Sequence, residues 1–382
     1  MSIVYNEVPS LPVLTVSSRS YQSRTVIGGA LPGEEYVPLF GVVAARRLGE
    51  ERFVVADRGH HQVKIFHADG SLAVGLAQRG EGPGEIPEVL DVHVCDGDTL
   101  AVVGRFNLMI FTADGKFVRQ INYRRGGSQS SLLGVSSGCS RMLLSDVARV
   151  PEPDAMGVVE DVIHWWDPRT GRRDTIATAG LVETWTRKLY GSARPFVVPW
   201  GTERTVALVG DELLLGVGRN PELRRYGGDG DVEVLMRWNA RAERVTMRDH
   251  MRYSRSRRSW LEGMPSDPEV EYLFPGLDEY PHVAEMKPIF VEVLGDPASY
   301  WVRHFDEESF GSFDTRMPDL VPGPQVWSVF DSTGSWIRDV ELPARFELLD
   351  VSQEFLTGVV KDTFDVETVE VLRMGSGSWS TR

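Results

Sequence analysis

Asp91 and His93 stand two residues apart in the apolar run Val89–Cys95, so on an extended strand both side chains leave the same face. Glu292 and Asp350 hold similar places in the runs Ile289–Leu294 and Phe346–Val351. Three carboxylates and one imidazole brought to one axis would suit calcium, or zinc if His93 took part. Metal-assisted hydrolysis is the chemistry such a centre allows. A plainer reading competes with it: an acidic wall facing water, which the lone histidine favours.

A second constellation is basic. From Arg237 to Arg258 there are eight arginines against two acids, Glu243 and Asp249, in a chain whose net charge is −14. Arg248, Arg252 and Arg255 follow i, i+4, i+7 and share one face of any helix that carries them. Guanidinium groups pair in bidentate fashion with carboxylates, so these three form the candidate partner-binding set. The alternative is that they pair with acids of their own chain, such as Asp278 and Glu279. Beside them Met247, Met251 and Ser254, with Leu261 further on, form a narrow strip expected to pack inward.

Other candidates reduce to structure. Gly80-Glu81-Gly82-Pro83-Gly84-Glu85 resembles a phosphate-cradling loop, but a strand pattern rather than a helix follows it. It reads as a turn. Asp57, before His60-His61, is expected to bond local backbone. No catalytic triad is indicated, since with eight histidines and many serines any pairing would be chance.

The elements that must position these residues announce themselves by repetition. Phe66-His67-Ala68-Asp69-Gly70-Ser71-Leu72 returns as Phe111-Thr112-Ala113-Asp114-Gly115-Lys116-Phe117, and more loosely at Trp166–Arg172 and Phe330–Trp336. Each copy ends an apolar run on an aromatic and turns through residues that accept positive φ, the mark of a β-hairpin. A strand-only repeat of this length predicts an all-β propeller. Four-strand sets fall at 39–77, 89–123, 132–179, 205–238 and 289–342, with three strands at 346–372. The leftover run Leu11–Val16 is expected to supply the missing strand and close a six-bladed ring, which removes two open sheet edges. The expected organisation is one domain over 1–382 with an insertion at 240–285 between blades four and five. Within the insertion, Thr246 as N-cap and Asp249 at the dipole's positive end predict a helix over Met247–Glu262.

The hairpin copies, Phe53-Val54-Val55-Ala56-Asp57, and the link Gln78–Glu85 resemble the NHL-repeat type of six-bladed propeller, most clearly over residues 39–123. Toward the end, Tyr300-Trp301-Val302-Arg303, Trp327–Asp331 and Val340–Pro343 are similar to bacterial six-bladed propellers known by fold. That resemblance implies a platform for binding other molecules. A minority of such proteins are metal-dependent lyases or lactone hydrolases.

The totals narrow the partners. Apolar content of 42% and charged content of 25% are those of a globular chain. The acidic balance argues against nucleic acid, and no run approaches the ~18 apolar residues of a membrane span. The partner expected is a protein, which includes peripheral attachment to a membrane-associated assembly, and no cofactor is expected. Cys95 and Cys139 are read as reduced thiols. The start Met1–Glu7 lacks a basic, apolar leader, so a native Met1 predicts the cytoplasm, and a removed leader the periplasm or exterior. The expectation for function is a non-catalytic binding or scaffolding propeller.

Overall fold

Five hairpins reverse through glycines in the left-handed region: Gly70 (φ 93°), Gly115 (86°), Gly171 (75°), Gly230 (91°) and Gly334 (91°). Glycine adopts that region without steric cost. Neighbouring aspartates lock the turns: the Asp331 carboxylate accepts the N–H groups of Thr333 (2.9 Å) and Ser335 (3.0 Å), and Asp69 that of Ser71 (3.0 Å). Four of these turns are the repeated tracts of the sequence. The fifth, at Gly230, lies in a less similar stretch.

The computed structural model describes residues 1–29, 37–96, 99–123, 130–153, 155–189, 192–262, 283–306, 323–352 and 354–375. The chain begins with β1 (Ser2–Asn6), β2 (Leu14–Thr15) and β3 (Tyr21–Ile27). Blade one is β4 (Val42–Leu48), β5 (Arg52–Asp57), β6 (Gln62–His67) and β7 (Leu72–Leu76); blade two is β8 (Asp91–Cys95), β9 (Thr99–Val103), β10 (Asn107–Thr112) and β11 (Phe117–Asn122). Blade three is β12 (Ser131–Val135), β13 (Met142–Arg149), β14 (Ala155–Trp166), β15 (Arg173–Leu189) and β16 (Ser192–Val197). Blade four holds β17 (Arg204–Val209), β18 (Glu212–Val217), β19 (Glu222–Tyr226) and β20 (Val232–Trp238). After α1 (Met247–Glu262) come β21 (Phe290–Gly295), β22 (Ser299–His304), β23 (Gln325–Asp331) and β24 (Trp336–Leu342) of blade five. Blade six has β25 (Phe346–Val351), β26 (Phe355–Lys361) and β27 (Glu367–Met374).

An N-terminal strand closes the ring, as the sequence predicts, but it comes from a later segment than expected. It is β3, not Leu11–Val16, that completes blade six, pairing antiparallel with β27 from Ile27↔Val369 to Tyr21↔Met374. Within Leu11–Val16 only Leu14 and Thr15 pair, in parallel with Val340 and Glu341 on the outer edge of blade five. β1 does the same along β20 of blade four. The outermost strand needs few buried side chains, so the polar β3 serves where the more apolar run was expected.

Six apolar clusters fill the six gaps between neighbouring blades. The closing one packs Ile27, Val359, Val369 and Val371 against Val42, Phe53 and Phe66. Because each sheet buries both faces, the ring is one continuous core. Cys95 and Cys139 form a disulfide between blades two and three, which corrects the reduced-thiol reading; their Cα atoms are 5.7 Å apart. The Ser/Gly turn brings Cys139 there, with the Asp96 N–H donating to the Ser137 carbonyl at 2.8 Å.

Candidate functional site

The innermost strands put Asp91, His93, Glu292 and Asp350 on the channel wall. A residue the pattern does not single out organises two of them. Arg46 of β4 donates to the Leu349 carbonyl at 2.7 Å and stands 3.6 Å from the Asp91 carboxylate and 3.7 Å from that of Asp350. His93 Nε2 lies 3.5 Å from Asp91. Glu292 instead meets Arg303 at 3.3 Å. Among the described residues no three His, Cys, Asp or Glu side chains are grouped to hold a metal ion. A guanidinium already supplies the positive charge between Asp91 and Asp350.

Burial dominates the protonation of this wall. It pushes Asp350 up to about 6, with Arg46 opposing and Asp296 and Asp91 adding to the rise. It raises Glu292 against the pull of Arg303, and lowers His93 against the pull of Asp91. The ordinary ion-pair logic is thus outweighed by loss of water.

Elsewhere the local readings hold. Gly82 N–H donates to Glu85 Oε2 (2.9 Å) and Ile86 N–H to the Gln78 carbonyl (2.8 Å), which makes the Gly-rich tract a turn leading into β8. Asp57 accepts the His60 N–H at 3.1 Å and also takes the Lys64 ammonium at 2.6 Å, both carboxylate and lysine being buried. A His–Ser–Asp chain does cross blade five: His304 Nε2 is 2.7 Å from Ser328 Oγ, which donates to Asp339 at 2.7 Å. The serine proton is committed to the aspartate, so histidine donates to serine, the reverse of a nucleophilic serine's polarity. Ser328 is also wholly buried.

In the insertion, α1 starts as the sequence indicates. Thr246 Oγ1 accepts the Asp249 N–H at 3.3 Å, and the Asp249 carboxylate accepts from Thr246 N (2.8 Å) and Oγ1 (2.7 Å). Buried Lys287 meets the same carboxylate at 3.2 Å. Burial alone would raise Asp249, but the bonds from Thr246 and Lys287 win and bring it to about 2. One turn on, Tyr253 packs against Trp200 with ring centroids 5.5 Å apart and the rings tilted by 58°, beside Val198 and Ala284.

That anchor corrects the expected orientation of the helix. Asp249 and Tyr253, four apart, face the propeller; Met247 and Met251 point outward and are 76% and 55% exposed. The most apolar pair is therefore not the face that packs on the propeller. Arg248, Arg252 and Arg255 are exposed on the same outward side. Asp278, Glu279 and the Leu261 side chain lie outside the described residues.

A larger asymmetry emerges from topology. In an up-and-down blade, links between second and third strands and links between blades share one face, while the five glycine hairpins occupy the other. α1 sits on the first, insertion-bearing face. So does the extension of blade three, where β14 and β15 pair beyond β13 and gain β16. The exposed Phe40, Phe106, Phe364, Val150, Met156, Val158, Val197, Met247 and Met251 all belong to this face. Leu72 and Val118 are exposed near the hairpin face, and the remaining exposed apolar side chains are mainly those of the N-terminal segment. Single loop phenylalanines carry no periodicity, so their gathering is invisible until the loops are placed.

No protein-family model and no curated protein matches the chain. Solved structures do. A Bacteroides fragilis protein superposes with a TM-score of 0.51 at 12% identity, covering 98% of this chain and 100% of its own. A member of the DUF4221 family from Bacteroides vulgatus gives 0.52 at 11%, covering 93% and 97%. At such identities the likeness is one of fold. The chain is a six-bladed β-propeller, and no NHL-repeat model recognises it.

Proposed function

We propose that this propeller is a non-catalytic interaction platform that binds a protein partner on its insertion-bearing face. The observation that carries the reading is the gathering of exposed phenylalanine, methionine and valine side chains on that face, whereas near the hairpins Leu72 and Val118 are exposed among the described residues. Exposed apolar groups rimmed by charge mark interaction surfaces, and aromatics and methionine are enriched there. The channel supports the same reading, since its carboxylates are engaged by Arg46 and Arg303 rather than gathered round a reaction centre. The Cys95–Cys139 bond supports an oxidising compartment for the encounter.

The test is site-specific photo-cross-linking in the native host. A cross-linking amino acid in place of Phe106 or Phe364 is expected to trap a discrete protein partner, and the same group at Leu72 or Val118 to trap none. Adducts formed equally from both faces, or from the hairpin face alone, would overturn the platform assignment.

A further inference from the structure

We infer that the outward face of α1 is a docking site for an acidic amphipathic helix of a partner protein; this rests on the platform reading above. Successive helical residues turn by about 100°, so Met247, Met251, Arg255, Arg248 and Arg252 form one continuous band. Asp249 and Tyr253 hold the opposite side against Lys287 and Trp200. The band is therefore presented rigidly, with its side chains exposed.

Its chemistry selects the occupant. Two methionines four residues apart offer an adaptable apolar strip, the kind of surface that accepts the apolar ridge of another helix. The guanidinium groups of Arg248 and Arg255 alongside call for carboxylates at matching helical spacing. The surrounding charge discriminates further. The whole chain carries −14, so a broad anionic surface such as a bilayer would meet repulsion from the rest of the molecule. A single helix is narrow enough to contact the basic band alone.

The probe is a capped synthetic peptide with leucines at i and i+4 flanked by glutamates, followed by fluorescence anisotropy against the full chain. Its controls are a scrambled peptide of equal composition and phosphatidylglycerol vesicles. Expected are binding of the patterned peptide, roughly tenfold or greater weakening by Arg248→Gln/Arg255→Gln, and clear loss at high salt. Met247→Ser/Met251→Ser should weaken binding several-fold while leaving the salt dependence unchanged. Both variants change exposed side chains, and an unaltered melting temperature confirms that they fold. Should a variant melt early, the wild-type comparison of patterned with scrambled peptide still decides. Equal binding of the two peptides would sink the inference, as would vesicle binding that depends on the same residues while the peptide fails. If the peptide fails but Phe106 still cross-links a partner, the platform stands and only the helix-docking inference falls.

Discussion

Arg46 and Asp350 meet on the channel wall from neighbouring blades, with the guanidinium Nε 3.7 Å from the carboxylate. This contact is too long to offset the burial of Asp350, whose carboxyl rises to about 6 while its side chain keeps only 27% of its surface open. The wall therefore carries a carboxylate that the fold prefers protonated.

Stability should report this directly. A folded-state value above the unfolded one means the folded protein holds the extra proton between about pH 4 and pH 6. The contribution of Asp350 is thus most favourable at low pH and is lost as pH rises through 6. Asp350→Asn removes the titration. Relative to wild type, the variant should gain roughly 1–3 kcal/mol between pH 4 and pH 7 in denaturant melts. A difference that stays constant across that range would contradict the assignment.

Asp249 has the opposite sign. Its carboxyl is held near 2, so its contribution is present above the ordinary carboxylate range and fades as pH falls toward 2. Asp249→Asn removes the carboxylate charge 3.2 Å from buried Lys287 and should cost about 3 kcal/mol locally. Thr246→Ala should cost about 1 kcal/mol through the cap alone. Hydrogen exchange would show both as faster exchange in α1, with the core strands of blades one and two unchanged.

The N-terminal strands are predicted to be unequal. Deleting residues 2–15 removes β1 and β2, which only lengthen the outer edges of blades four and five, so cooperative melting should survive at a lower temperature. Deleting residues 2–27 also removes β3 and opens blade six beside blade one. Calorimetry should then show a broadened or absent transition.

Cys95→Ser/Cys139→Ser should lower stability by about 2–4 kcal/mol, since the bridge closes a long loop of the unfolded chain. Urea melts of the variant beside the wild type, with and without reductant, check this. Wild type in reductant should approach the variant.

Blade number, the glycine hairpins and the span of α1 were legible in the amino-acid order because each is set locally. Asp-Gly turns need only their own φ angles, alternation needs only a half-buried strand, and Thr246 caps a helix three residues before Asp249. The sixth blade lacks a hairpin copy for a physical reason: its third strand, β27, and its outer strand, β3, come from opposite ends of the chain. Tertiary structure alone decided the rest. Which N-terminal strand closes the ring depends on edge hydrogen bonds that leave little hydrophobic trace. Arg46 reaches Asp91 and Asp350 across blade boundaries. The face of α1 that packs on the propeller was set by Lys287 and Trp200, far away in sequence, so the methionines that looked like core were left outside. The gathering of Phe40, Phe106 and Phe364 on one face follows from loop placement, which strand direction around the ring imposes and no local pattern encodes.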